Sequence, residues 1–540
     1  MSIQRAITLT FWLLFSVSCT FACVRSVNDW MIVGRWAGAA VCLLPLFLCT
    51  AVCSYGSGKI PSRSDSGKPD GITGLVFTPA AQSLAVCNIA VTVYGGLQWL
   101  GVLAPVGTFR ITAGFDNPAG MAAALTSTFP FLVYALSGCK RLLPVCTYLF
   151  LAESALLYAA GTRAGLIAMT VAFGLSLWPR LSCRGRNAML AALALCLTAA
   201  LVIMFCRKEA STYGRSLILR CSLSLAMEHP LLGAGPGGFR RLYMPYQAEW
   251  LSSPAYSGAS LLADNVGHPL CEYVLVLVNY GIVGLTVVLS LLAATVVRSL
   301  RMKAPEGRAS AAVLSAVAVL SAFSYPFRYP LTSAVVLVAC FTVWAGAIDR
   351  LPARIARALP AVAAAAYGLV LAFLLIPWLR AQADWRKVSD RSGNEDFSEP
   401  VLAEYRRLES SLGRDPYFLY NQAVTYHQAG RDVEALQYIR SSLAIMSCYD
   451  SVLLRGDIER NLGLGAEAES SYRLASGMCP CRFIPLYRLF RMYQDAGRDS
   501  EMRSVGQEIL SKPMKVPSAE VRRIRLSVRQ ALAGLVLTSD

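Results

Sequence analysis

Long apolar runs separated by short polar loops fill the first 380 residues, and the pattern then changes to helical spacing with many charges. A membrane-crossing helix needs about 20 apolar residues. Eleven runs have that character, near 6–24, 36–53, 81–104, 117–137, 142–160, 164–179, 187–206, 270–297, 309–324, 331–349 and 358–379. The first has two readings: Arg5 ahead of a short apolar run suits a signal peptide, but no small-x-small cleavage site precedes the next polar stretch and more spans follow at once. It is read as a retained helix. Residues 381–399, with Asp390, Arg391, Ser392, Gly393, Asn394, Glu395 and Asp396, read as a solvated linker. From about 400 a repeat is visible. Tyr426-His-Gln-Ala-Gly430-Arg-Asp is echoed around Gly463 and returns as Tyr493-Gln-Asp-Ala-Gly497-Arg-Asp, with glycines 33 and then 34 residues apart. That period resembles tetratricopeptide repeats, helical hairpins that bury their apolar faces only against neighbours. Each glycine suits a turn that needs a left-handed conformation. The expected fold is therefore all-α: a polytopic membrane domain (1–380) of about 11–12 spans with one long loop at 207–269, a linker (381–399), helical repeats (400–512) and a C-terminal helix (513–540).

Charge adds an orientation. Only 15% of residues are charged against 55% hydrophobic, and mean hydropathy is +0.49. A soluble chain carries about 25% charged residues, so a mostly soluble, disordered or coiled-coil protein is excluded. The net charge of +17 could suggest nucleic acid, but membrane proteins gather Lys and Arg in cytoplasmic loops. With the N-terminus inside, 16 basic residues fall in inside segments and 5 in the short outside loops. That bias places the 207–269 loop and the C-terminal part outside. Most of the 17 Cys lie in apolar runs, where they act as small hydrophobes.

Candidate chemistry is sparse. There are 3 His, no HExxH, and no His/carboxylate cluster at metal-ligand spacing. Gly233-Ala-Gly-Pro-Gly-Gly238 lacks the Lys-Ser/Thr of a phosphate loop and follows no strand, so it reads as a turn after a helix. His427 reads as a surface or packing residue of the repeats. The outside loop is richer. Arg215 opens a helical stretch with Leu217, Cys221 and Leu225 on one face, and Glu228-His229-Pro230 ends it. Arg240 and Arg241 follow among aromatics, and His268 stands just before the eighth span. A His there suits a general base near neutral pH. Arg215, and Arg163 at the mouth of the sixth span, suit a diphosphate, which planar guanidinium forks bind through several donors. The plainer alternative stays open: the arginines hold interfacial lipid phosphates and His268 caps a helix.

The motifs carrying these residues resemble a family. Gly161-Thr-Arg163-Ala-Gly, Gly214-Arg215, His229-Pro230-Leu-Leu-Gly-Ala-Gly235, and His268-Pro-Leu-Cys-Glu-Tyr273 with Tyr280-Gly281-Ile-Val-Gly284 are similar to the O-antigen ligase and polymerase superfamily. Phe115-Asp-Asn-Pro118-Ala-Gly120 and Met478-Cys-Pro-Cys-Arg-Phe483 look like its branch with a fused repeat domain, common in Bacteroidota. The resemblance implies an inner-membrane enzyme that moves a glycan from undecaprenyl diphosphate to an acceptor hydroxyl outside that membrane, inverting and without metal or other cofactor. The acceptor would be a lipid A core sugar, a growing glycan or a protein Ser/Thr. It further implies His268 as base or acceptor-positioning group, and Arg215 and Arg163 as diphosphate ligands that stabilise the leaving charge. Arg240 and Arg241 are weaker candidates for lipid or sugar contacts, and Glu272, four residues on along a helix, for orienting His268. The repeats would dock near the outer loop and recruit an acceptor or protein partner, so that a chain truncated at 390 keeps its membrane part folded. Two other classes remain: a transporter of lipid-linked glycan, for which Glu153 is the clear intramembrane carboxylate, and a non-enzymatic assembly factor. Nucleic acid is not an expected partner.

Overall fold

The computed structural model describes residues 3–29, 31–56, 72–178, 209–253, 257–345, 353–515 and 517–537, with isolated positions between 182 and 198. The chain divides into two compact units. The first comprises Met1–Arg207, Leu270–Glu272 and Thr286–Ala383, and the second Lys208–Pro269, Tyr273–Leu285 and Asp384–Asp540. Among the described residues every named element is helical. Among the described residues, six helices are long and apolar enough to cross a membrane, and three shorter apolar helices accompany them. The candidate span at 187–206 lies almost wholly outside the described residues.

In the first unit, α1 (Ile3–Phe21), α2 (Ile32–Gly56), α3 (Ile72–Trp99), α4 (Pro118–Ala135), α5 (Leu142–Ala159), α6 (Arg163–Leu177), α10 (Pro305–Phe323) and α11 (Pro330–Trp344) share one apolar core. α4 is buried on every side from Gly120 to Val133, as expected of a helix apolar all round. Trp12, Phe15 and Cys19 give α1 a place in that core. Glu153 is enclosed, with Asn88 Nδ2 3.5 Å from its Oε2.

A lock at one end of the bundle explains the Phe115-Asp-Asn-Pro-Ala-Gly120 motif. Asn117 Oδ1 caps α4 by accepting from the backbone N–H groups of Ala119 and Gly120, while its Nδ2 donates to Tyr325 Oη. Asp116 accepts from Tyr329 Oη at 2.8 Å and lies 3.5 Å from Arg328. Arg35, wholly buried, donates to the Gly114 carbonyl at 2.6 Å and lies 4.2 Å over the Phe115 ring. Gly120 admits no side chain, because a Cβ there would fall 2.7 Å from Tyr329.

In the second unit, the loop expected at 207–269 is itself built of helices: α7 (Glu209–Glu228), α8 (Gly238–Ser252) and a 3-10 turn at Ser257–Leu262. The helix α9 (Glu272–Arg301) is broken at Gly281, with φ 65 and ψ −167. Residues 282–301 alone span about 30 Å at 1.5 Å per residue, enough to cross a bilayer core. The solvated linker expected at 381–399 is instead helical as far as Gly393: α12 (Ala353–Val370), a helix of the first unit, runs through a π-type turn at Leu371–Leu375 into α13 (Ile376–Gly393). The wide turn lies just before Pro377, whose missing N–H breaks the ordinary register. Trp385 and Val388 of α13 are buried, and the Trp385 ring meets Phe418 edge-on.

The repeats follow as α14 (Glu399–Leu412), α15 (Pro416–Gln428), α16 (Asp432–Ile445), α17 (Tyr449–Asn461), α18 (Gly465–Met478), α19 (Ile484–Asp495), α20 (Asp499–Ser511) and α21 (Ala519–Leu537). Gly430, Gly463 and Gly497 join the paired helices at φ 73, 75 and 67, the left-handed turns that their spacing predicts. Gly456 lets α17 approach α18 closely, since a Cβ there would sit 2.7 Å from the Tyr472 ring. Ile524 and Val528 of α21 cover the last hairpin. His427 Nδ1 lies 2.5 Å from Asp432 Oδ1 across the α15–α16 turn, a packing role.

Candidate functional site

The segments bearing the candidate residues owe their shape to an interlock. Where Gly281 interrupts α9, the freed backbone groups need partners, above all beside lipid. The turn after α7 supplies them. Ala234 and Gly235 N–H donate to the carbonyls of Val278 and Asn279, and Ile282 and Val283 N–H donate to those of Pro230 and Leu231. Asn279 Oδ1 accepts from Phe239 N–H and so caps α8. The contact is backbone to backbone: a Cβ on Gly281 would fall 2.2 Å from the Leu231 oxygen, and one on Gly233 2.4 Å from the Asn279 carbonyl carbon. The glycine-rich Gly233–Gly238 stretch is thus a turn after a helix, and it also splices α7 and α8 onto α9. Asn279 is not legible in the sequence, where it sits inside an apolar run; the glycines of the two segments it joins, Gly233–Gly238 and Gly281, are the available signal.

Arg215 is exposed in the second turn of α7, whose buried face is Leu217, Cys221 and Leu225, as their spacing predicts. The helix starts at Glu209, so Arg215 stands within it and not at its opening. His229 is exposed just past the last residue of α7. On α8, Phe239, Tyr243, Met244, Gln247 and Leu251 point into the unit while Arg240 and Arg241 face out. Arg241 is partly committed to structure, since its Nη2 donates to the Ala234 carbonyl at 3.0 Å. Burial pushes the Tyr243 phenol up from its ordinary value and the Cys221 thiol up to about 12, so the core between α7 and α8 carries no charge near neutral pH.

His268 is half-buried on a bend in the non-helical segment between the 3-10 turn and α9. Pro269 disfavours helical backbone at the histidine, and Leu270 takes a left-handed φ of 57. The helix begins only at Glu272. His268 and Glu272 are therefore not one turn apart on a single helix: the first lies in the segment before it and the second is its first residue. Glu272 falls in the first unit with Arg163, while Arg215, Arg240, Arg241 and His268 fall in the second. Arg163 is the first residue of α6. Gly165 brings that end of α6 against α4, a Cβ there lying 2.8 Å from Ala122 Cβ. Arg163 thus stands at the end of the bundle that carries the Asp116–Asn117 lock. Among the described residues no group of three or more His, Cys, Asp or Glu stands together as metal ligands would.

Residues 148–289, from α5 into α9, match the family model described as O-antigen ligase. The matched stretch contains Arg163, Arg215, the Gly233–Gly281 interlock and His268. No curated protein matches the chain.

Proposed function

We propose that this protein is a multi-pass membrane glycosyltransferase of the ligase or polymerase kind. It takes a glycan from undecaprenyl diphosphate and joins it to an acceptor hydroxyl at the periplasmic face of the bacterial inner membrane. The observation that carries the reading is the O-antigen ligase match over 148–289, which spans the three residues that the chemistry needs. In this reading eleven or twelve helices cross the membrane and the second unit lies in the periplasm, as the basic-residue bias suggests. His268 takes the proton of the acceptor hydroxyl as it attacks the anomeric carbon. Arg215 and Arg163 hold the diphosphate and stabilise the charge that grows on it as the glycosidic bond breaks. Attack opposite that leaving group inverts the anomeric centre. Arg240 is a contact for lipid or sugar, and Arg241 a weaker one given its bond within its own turn. The repeats stand as a tetratricopeptide-like array available to a protein partner or acceptor. The acceptor is a lipid A core sugar, a growing lipid-linked glycan or a protein hydroxyl.

The test is transfer from purified lipid-linked glycan with a chelator present. His268→Ala should lose roughly two to four orders of magnitude in rate. Arg163→Ala should lose about two to three orders, and Arg215→Lys should not fully rescue, because it keeps the charge without the fork. His229→Ala should retain most activity. Near-normal transfer by His268→Ala, or loss of activity with chelator alone, would defeat the mechanism. Transport or a scaffolding role would survive all of these changes.

A further inference from the structure

The segment that carries His268 has no secondary structure of its own between Leu262 and Glu272, yet it is anchored at nearly every residue before the histidine. The Ala263 carbonyl accepts from Cys481 Sγ at 3.5 Å. The Asp264 carbonyl accepts from Gln247 Nε2 at 3.2 Å. Asp264 Oδ1 accepts from Arg482 Nη2 at 3.1 Å and from Asn265 N–H. Val266 N–H points at Met244 Sδ, 3.3 Å away.

Two of these anchors, Cys481 and Arg482, belong to the repeats, on the turn between α18 and α19. A third reaches them through Gln247. This amide is 0% exposed, and it uses both ends: Nε2 donates to Asp264 and also to the Met478 carbonyl at 2.8 Å, while Oε1 accepts from Tyr243 Oη. A buried amide so fully bonded fixes its partners, because any shift strands a donor out of reach of water. Packing agrees. Gly477 lets α18 close on α8, with a Cβ there lying 3.0 Å from Ala248 Cβ, and Ser447 N–H donates to the Arg240 carbonyl. The Arg482 guanidinium lies 4.5 Å over the Tyr449 ring. The Met478–Phe483 motif, which the catalytic reading leaves without a task, is the edge of the repeats that meets this segment.

We infer that the repeat array is a brace for the active site: through Gln247 and Arg482 it holds the 263–268 segment and thereby sets where His268 stands. Both are positioning residues. The inference rests on His268 acting in transfer, and it makes the repeats part of the catalytic apparatus in addition to any recruitment. Arg482 and Asp264 are each about half exposed (40% and 56%), and an exposed pair contributes little alone. The buried Gln247 bridge is the stronger hold.

The experiment uses the full chain in detergent with undecaprenyl-diphosphate-linked glycan extracted from a strain lacking the protein. Gln247→Leu keeps the volume and removes both donors. It should lower kcat about 10- to 100-fold, the scale of a small misplacement of a catalytic group, with KM for the donor within about twofold. Arg482→Met, at a site too exposed to threaten folding, should lower kcat by a smaller factor, roughly three- to tenfold on the same scale. Hydrogen exchange of the 263–268 amides should rise in both, with the rest of the repeats unchanged. A packing role alone would lower the melting temperature and leave kcat per folded molecule intact. Wild-type kcat, or unchanged exchange at 263–268, overturns the brace, and Arg482→Met decides if Gln247→Leu does not fold. His268→Ala in the same assay separates the two ideas. If it transfers normally the site reading fails. If it is inactive while the brace variants are normal, the brace alone fails.

Discussion

Gly281 and Gly233 show how much a single backbone position can carry. Gly281 combines a left-handed φ with a carbonyl oxygen where a Cβ would go, and Gly233 meets backbone in the same way. Replacing either by Ala forces strain of roughly 1–3 kcal/mol for the backbone conformation alone, and the clash with backbone cannot be relieved by turning a side chain. Gly214, inside α7, has nothing within 4 Å of its would-be Cβ, so Gly214→Ala should stabilise by up to about 1 kcal/mol through helix propensity. Thermal unfolding in detergent, followed by tryptophan fluorescence, should place Gly281→Ala and Gly233→Ala well below wild type and Gly214→Ala at or above it. Equal melting of all four would remove the interlock as a structural element. The left-handed use of Gly430, Gly463 and Gly497 in the repeats is readable from their 33- and 34-residue spacing, and the sequence displays Gly233 and Gly281 just as plainly. Their mutual contact is not readable, because it joins two backbone stretches nearly fifty residues apart and leaves no periodicity. Asn279 is hidden for the same reason: its partner, the Phe239 N–H, lies 40 residues away.

Among the helices, composition and periodicity disagree, and periodicity wins. The stretch after Arg380 is polar enough to resemble a linker, yet Ala381, Trp385 and Val388 recur at helical spacing and become buried, together with Gln382. On α8, Phe239, Tyr243, Gln247 and Leu251 lie four apart and all face inward. A glutamine in that row looks like a polar break until the two carbonyls it serves are known. These two helices change what truncation does. From the sequence alone, a cut at residue 390 keeps the membrane part folded and reduces transfer. The cut would uncover Trp385, which meets Phe418, and the Gln247–Ala248 face of α8, which meets α18. Stranding a buried amide and exposing apolar surface together destabilise a segment by several kcal/mol. Limited proteolysis of the truncated protein should therefore nick within 238–269 at protease concentrations that leave the full chain intact there. Equal protection in both would show that α8 and its loop stand without the repeats.

For the whole molecule, orientation is the property on which the functional reading depends, and it rests on the distribution of Lys and Arg. Two exposed cysteines allow a direct check. Cys23 lies between α1 and α2, and Cys139 between α4 and α5. Three helices separate them, so if each crosses the bilayer the two thiols stand on opposite sides. With the N-terminus inside, Cys23 faces the periplasm and Cys139 the cytoplasm. Cys479 serves as a control on the chemistry. It lies in the unit assigned to the periplasm, but burial pushes its thiol up to about 12. A raised thiol pKa means the thiolate is scarce near neutral pH and labelling grows only as pH climbs, so Cys479 should stay unlabelled at pH 7 despite its compartment. Single-cysteine versions in cells with a permeabilised outer membrane, treated with a membrane-impermeant maleimide, should label at Cys23 at once and at Cys139 only after the inner membrane is opened. The reverse pattern would turn the bundle over. It would carry Arg163, which begins α6 near the N-terminal end of α4, to the cytoplasmic side, away from the periplasmic glycan donor that the proposed reaction uses. The reaction proposed here would then have no substrate at its site.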